Sequence, residues 1–125
     1  METKAQHNLI IFNTRDELIK VDLRHVAYFH ADRNYTEVFL TNGTNLLLAT
    51  SMSNIEKILV ELQAKSKAVS FVRIGRSYII NLKHVLQVDV LRQRLVLCDP
   101  KHSTVYNLDV AKEALKQLKD LYTRH

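Results

Sequence analysis

The side chains in this sequence that are best suited to catalysis or metal binding are six histidines and one cysteine. His25 and His30 are five residues apart in the strand-like run HVAYFHA, which directs them to opposite faces of a strand. Cys98 ends the apolar run RLVLC, where a buried and inert thiol is expected. No G-x-S-x-G, P-loop or dinucleotide-binding motif is present. We therefore predict that the protein is not an enzyme and uses no metal or cofactor.

A second possible chemistry is recognition of phosphate or bases by arginine in the stretch FVRIGRSYIIN, residues 71–81. Its apolar and β-branched residues are typical of a strand, but Arg73, Gly75 and Arg76 interrupt them. Glycine relaxes the backbone where a strand bends, which would lift Arg76 out of the sheet. A guanidinium group on a short loop can bind phosphate or the O6/N7 edge of guanine. Arg73 is instead predicted to be a structural cation paired with a carboxylate. The simpler alternative makes both arginines ordinary surface charges.

The overall charge is compatible with a polyanionic partner. The 125 residues include 18 Lys and Arg against 13 Asp and Glu, which gives a formal net charge of +5 and a pI near 9.4. A basic domain gains affinity for nucleic acid by releasing counterions from phosphates, although many basic domains bind none. The length fits one domain over residues 1–125. A lone cysteine, a polar N-terminus and the lack of a long apolar run favour a cytoplasmic protein without a membrane segment.

The first half of the chain reads as short strands followed by a helix. Strand-like runs occupy residues 8–13, 17–21 and 25–31. Two more runs flank Asn42-Gly43, a pair that favours a type I′ hairpin turn in which both central residues have positive φ. Ser53-Asn54-Ile55-Glu56 has the form of a capping box, so a helix is predicted to begin there. Its buried stripe would be Ile55, Ile58, Leu59 and Leu62.

The second half repeats short strands before a closing helix. Strands are predicted at residues 71–74, 78–81, 85–90, 94–98 and 103–107. From Asp109 onward apolar residues recur at helical spacing, on a face formed by Ala111, Ala114, Leu115, Leu118 and Leu121. Links of hairpin length predict antiparallel sheets. Because strands separate the two helices, no helix–turn–helix unit can form, and any DNA binding must use loops or strands.

Two segments resemble the LytTR-type DNA-binding domains of bacterial response regulators. FVRIGRSYIINLKHV is similar to the family pattern F-x-R-x-H-R-S-Y-x-x-N, and VAYFHADRNYTEVFLTNG is similar to an earlier family segment built on A-D-x-N-Y-T. The two segments come in the family's order, and the similarity extends over about residues 8–121. The resemblance implies a mainly β fold, an elongated stack of small antiparallel sheets with one mid-chain helix and one C-terminal helix.

The resemblance also implies a function. Such domains bind double-stranded DNA sequence-specifically through loops in the major groove, at repeated half-sites near promoters, as regulators of transcription in two-component systems. By their positions in the family pattern, six residues are expected to contact DNA: Arg33, Asn34, Tyr35, Arg76, Ser77 and Asn107.

Two departures from the family pattern leave a second hypothesis open. Gly75 stands where the family usually has histidine, and Leu108 stands where it usually has arginine. Loss of one such contact would weaken binding or alter specificity by about 1–3 kcal/mol. The alternative is a LytTR-fold interaction module that has lost or weakened DNA binding. Its partner would be a receiver domain, a sensor-kinase system or a second LytTR subunit.

Overall fold

The computed structural model describes residues 2–66 and 70–123. Its strands are β1 (Glu2–Gln6), β2 (Leu9–Asn13), β3 (Leu18–Asp22), β4 (Val26–Asp32), β5 (Tyr35–Leu40), β6 (Asn45–Leu48), β7 (Phe71–Ile74), β8 (Tyr78–Asn81), β9 (Val85–Asp89), β10 (Arg94–Cys98) and β11 (Val105–Asp109). The α-helices are α1 (Met52–Lys65) and α2 (Lys112–Thr123), and 3-10 turns at Leu23–His25 and Leu82–His84 precede β4 and β9. Within these residues, no helix is both long and apolar enough to span a membrane.

The strands form three antiparallel sheets. Their strand orders are β1-β2-β3, β6-β5-β4-β8-β7 and β11-β10-β9. This confirms the predicted mainly β architecture with one mid-chain and one C-terminal helix. The strand that sequence reasoning missed is β1, which pairs with β2 at the edge of the first sheet. Its residues are polar and mostly exposed, so they lack the apolar alternation that reveals a strand.

The five-stranded sheet is the middle layer, with a hydrophobic cluster on each face. One cluster, which includes Phe29 and Ile55, packs β2, β3 and α1 against the sheet. The other, which includes Ile80 and Leu115, packs β10, β11 and α2 against the opposite face. Val26–Phe29 of β4 are all buried, because this central strand is covered on both sides. Each large apolar side chain buried in this way contributes about 1.5–3 kcal/mol, so the middle sheet is a stable platform for its turns.

Both helices begin at different residues from those predicted. The N-cap of α1 is Ser51, whose Oγ accepts a hydrogen bond from the Asn54 amide at 3.2 Å. Ser53 lies inside the helix, so the predicted capping box from Ser53 to Glu56 is wrong. The Glu56 carboxylate is bound elsewhere, as described below. Likewise β11 continues to Asp109, and α2 starts three residues later than the apolar pattern suggested.

The hairpin at Asn42-Gly43 is confirmed, but its predicted turn type is wrong. Gly43 has a φ of +93°, whereas Asn42 is not among the residues with positive φ, so the pair does not form a type I′ turn. The Gly43 amide donates to the Leu40 carbonyl at 3.1 Å, and the Leu40 amide donates to the Thr44 carbonyl at 2.8 Å. This pattern fits a three-residue loop in which glycine alone takes the left-handed conformation.

Candidate nucleic-acid interface

The sheet order brings two of the predicted DNA-contact segments to the same end of the middle sheet. β4 is paired with β5 on one side and with β8 on the other. Antiparallel pairing therefore places the β4–β5 turn beside the β7–β8 turn. A hydrogen bond of 2.9 Å from the Ala31 amide, near the end of β4, to the Ser77 carbonyl joins β4 to the β7–β8 turn. Five of the six predicted contact residues lie in or next to these turns. The two turns are about forty residues apart in sequence, and the sheet order makes them neighbours.

The β4–β5 turn presents Arg33 and Asn34 at the tip of a tight hairpin. Asp32 and Tyr35 form the last pair of the ladder, so the loop has two residues. Arg33 has a φ of +58°, a conformation that costs a side-chain-bearing residue about 1–2 kcal/mol. Such local strain is concentrated at functional sites. Both loop residues and Tyr35 are exposed, and the Tyr35 side chain retains 49% of its accessible surface.

The β7–β8 turn presents Arg76 and Ser77 in a three-residue loop. Gly75 opens the loop with a φ of +60°, as expected from its place in the sequence, and all three residues are exposed. Within the described part of the chain, the guanidinium groups of Arg76 and Arg33 make no ion pair or hydrogen bond. Both arginines are therefore available to an external ligand.

Arg73 holds this loop in place from inside β7. Its Nη1 donates to Glu56 Oε1 at 3.0 Å, and its Nη2 donates to the Arg76 carbonyl oxygen at 3.0 Å. The carboxylate partner that the sequence predicted without identifying is thus Glu56 of α1. Because one guanidinium bridges the helix and the loop, Arg73 fixes the backbone from which Arg76 projects. The two arginines of the motif therefore differ: Arg73 is mostly buried and held by two hydrogen bonds, whereas the Arg76 guanidinium is exposed and unpaired.

A third segment reaches the same end of the molecule. Asp109 at the end of β11 and residues 110–111, which link β11 to α2, line a shallow depression of about 170 Å³ together with Gly75–Ser77. The turn between β9 and β10 lies beside this link, since the Val110 amide donates to the Gln93 carbonyl at 3.1 Å. Exposed Arg92 and Arg94 therefore lie near the same end. The sequence did not predict that Arg92 and Arg94 lie near the other turns, because only the folded arrangement of the strands brings them to this end.

Asn107, the sixth predicted contact, is not in this cluster of turns. It lies within β11 opposite Val96, with an exposed side chain. The neighbouring Leu108 is 7% exposed and packs in the cluster around α2, so its position faces the core. Asp109, which is exposed and acidic, lines the depression beside the 75–77 loop. Asn107 is therefore the predicted DNA contact that this arrangement favours least.

The remaining residues of the long motif serve the fold. Asn81 is 2% exposed and donates through Nδ2 to the Val26 carbonyl at 2.9 Å, while its Oδ1 accepts from the Lys83 amide at 3.0 Å. Phe71 packs in the core with its ring 5.8 Å from that of Phe29. The motif therefore combines a buried frame with one exposed arginine. Among the described residues, no group of three or more His, Cys, Asp or Glu is arranged to hold a metal ion.

Comparisons with known proteins bear on the family and the fold. Residues 16–123 match the LytTr DNA-binding domain family. Among solved structures, the LytTr DNA-binding domain of a Bacillus cereus response regulator is similar, with a TM-score of 0.63 and 21% sequence identity. That match covers 92% of this chain and 96% of the other. Identity at this level shows a shared fold. No curated protein matches the sequence.

Proposed function

Because the chain belongs to the LytTR family of DNA-binding domains, a non-enzymatic family of transcription regulation, we propose that it binds double-stranded DNA sequence-specifically through the turns at one end of its middle sheet. The observation that carries this proposal is the convergence of the 33–34 and 75–77 turns, each with an exposed, unpaired arginine. The role places the protein in the bacterial cytoplasm, where the chromosome is.

The proposed mode of binding is insertion of these turns into the major groove. Arg76 donates two parallel hydrogen bonds to a phosphate or to guanine O6 and N7, and Arg33 does the same from the adjacent turn. Asn34 can pair with adenine N6 and N7, while the hydroxyls of Tyr35 and Ser77 donate to phosphate oxygens. Rigid presentation matters, because a contact made by a preorganised side chain loses less conformational entropy on binding. The brace by Arg73 provides that rigidity for Arg76.

A protein-binding role is the second candidate, and one observation favours it. Asp109 places a negative charge beside the 75–77 loop, and buried Leu108 contributes no cation there. A carboxylate at that point repels phosphate and suits a basic protein surface. A receiver domain, a sensor-kinase system or a second LytTR subunit would be the partner in that case.

Selection from random duplex DNA distinguishes the two candidates. We expect enrichment of a motif that repeats at a spacing of about one helical turn, as expected for repeated half-sites. The selected duplex should then bind with a log K that falls linearly with log salt concentration, at about −0.9 per phosphate contacted. Recovery of no motif, together with affinity that does not respond to salt, would reject DNA binding in favour of the protein-binding candidate.

A further inference from the structure

The end of the middle sheet that lies opposite the proposed DNA interface carries a second polar site. A groove of about 370 Å³ opens there, lined by Lys20, Asp22, His25, Leu40, Thr41, Asn42 and His102. These residues come from β3, from the first 3-10 turn, from the β5–β6 hairpin and from the connection between β10 and β11. The volume is within the range of about 300–1,000 Å³ that small-molecule sites occupy. The groove therefore lies where parts of all three sheets meet.

Two buried polar atoms in the groove residues have no partner. Thr41 is 2% exposed, yet its Oγ1 makes no hydrogen bond, and His102 Nδ1 is likewise buried and unbonded. These two are the unpartnered buried side-chain atoms found among residues 2–66 and 70–123. Buried polar groups are hydrogen-bonded in the great majority of cases, because leaving one unpaired costs about 1–3 kcal/mol. Both atoms belong to residues that line one groove, where a hydrogen-bonding ligand would supply the missing partners.

The charges around the groove favour an anion. The Arg24 guanidinium lies 2.7 Å from Asp22 and lowers the pKa of that carboxyl, so Asp22 stays ionised and is already neutralised. The pKa of Asp99, beside His102, is also lowered, first by a hydrogen bond from the Lys101 amide and then by nearby His84 and His102.

The local charge is therefore +1 when the imidazoles are neutral, since three cations, Lys20, Arg24 and Lys101, face these two carboxylates. His25 also lines the groove, with its Nε2 3.9 Å from Asp22 Oδ2. It lies in a 3-10 turn, whereas the sequence predicted that it would begin a strand.

We propose that this groove binds a small oxyanion, a phosphate or carboxylate group, through Lys20, Thr41 and His102. The Thr41 hydroxyl and His102 Nδ1, in the tautomer that carries a hydrogen there, donate hydrogen bonds to its oxygens, and the Lys20 ammonium supplies charge. A metal cation is a poor fit, since the histidines and carboxylates of the described residues form no ligand cluster. The proposal does not depend on DNA binding, because the groove and the paired turns lie at opposite ends of β4.

Titration with inorganic phosphate, followed by NMR at constant ionic strength, tests the proposal. At a fixed pH, we expect saturable shifts of the Thr41 and Asn42 amides and of the His25 and His102 rings. A parallel titration with succinate shows whether a phosphate or a carboxylate head group is preferred; saturation by either one supports the site.

Matched variants keep this test decisive. Lys20 is exposed, so Lys20→Gln should leave the fold intact and weaken phosphate binding at least several-fold. Lys57→Gln removes the same charge from the exposed face of α1 and should change nothing. Shifts that never saturate with either anion, or equal binding by Lys20→Gln and the parent, would overturn the proposal. Shifts confined to residues 33–35 and 75–77 would overturn it too, since they would place the anion at the DNA interface.

Discussion

Replacing Arg73 with alanine should destabilise the fold more than replacing Arg76, although only two residues lie between the two arginines. The Arg73 side chain is 24% exposed and makes two hydrogen bonds of 3.0 Å, one to Glu56 and one to the Arg76 carbonyl. Charged hydrogen bonds contribute about 1.5–3 kcal/mol when buried, and exposed ion pairs only about 0.2–1 kcal/mol. Partial exposure of Glu56, at 45%, puts the pair near the lower figure. We therefore expect Arg73→Ala to cost about 1–2 kcal/mol and Arg76→Ala less than about 0.5 kcal/mol.

Thermal and urea unfolding of the two variants measure this difference. For a domain of this size the expected loss for Arg73→Ala is about 3–8 °C in Tm. Glu56→Ala and the double variant complete a cycle, whose coupling energy should be about 0.5–1 kcal/mol if the pair forms. Equal melting temperatures for Arg73→Ala and Arg76→Ala would refute the brace. Additive effects of the Arg73 and Glu56 substitutions would show that the ion pair contributes nothing.

Two further pairs of substitutions test local assignments by the same measurements. Ser51→Ala should lower the free energy of unfolding by about 1 kcal/mol, because it removes the N-cap of α1. Ser53→Ala, inside the helix, should lower it by less than about 0.5 kcal/mol. A larger loss for Ser53→Ala than for Ser51→Ala would support the capping box that the sequence predicted. Gly43→Ala should cost about 1–2 kcal/mol, because Gly43 has a φ of +93° and a Cβ there would lie 3.0 Å from Thr104 Oγ1. Gly75→Ala, at a φ of +60° with open space around it, should cost less, and an equal loss would argue against the contact with Thr104.

The sequence predicted most of the strands because their apolar residues and turn signals are local. The runs at 71–74, 78–81 and 94–98 agree with β7, β8 and β10 residue by residue. The capping box was wrong for a reason that is not local. Glu56 has the right spacing to cap from Ser53, but a guanidinium from β7 binds its carboxylate, and Ser51 caps the helix instead. Only the tertiary structure places Arg73 beside α1.

The candidate interface was predictable in part. Family resemblance located Arg33 and Arg76 at positions that the structure leaves exposed and unpaired. It gave no sign that these turns are adjacent, since their proximity follows from β4 pairing with both β5 and β8. Packing of the third sheet against the middle sheet brings Asp109 to the 75–77 loop, a neighbour that sequence spacing does not show. The groove at the other end of the middle sheet was not predictable from the sequence either, because its histidines form no local motif.

Equilibrium binding by the Arg76→Ala variant, compared on a selected duplex and a scrambled one, tests the central claim most directly. We expect a loss of about 1–3 kcal/mol, roughly 5- to 150-fold, on the selected duplex and a much smaller loss on the scrambled one. Arg24→Ala is the charge-matched control, since Arg24 lies at the far end of the middle sheet, and it should lower both affinities slightly and equally. If Arg76→Ala binds the selected duplex as tightly as the parent does, the turns do not read DNA as proposed.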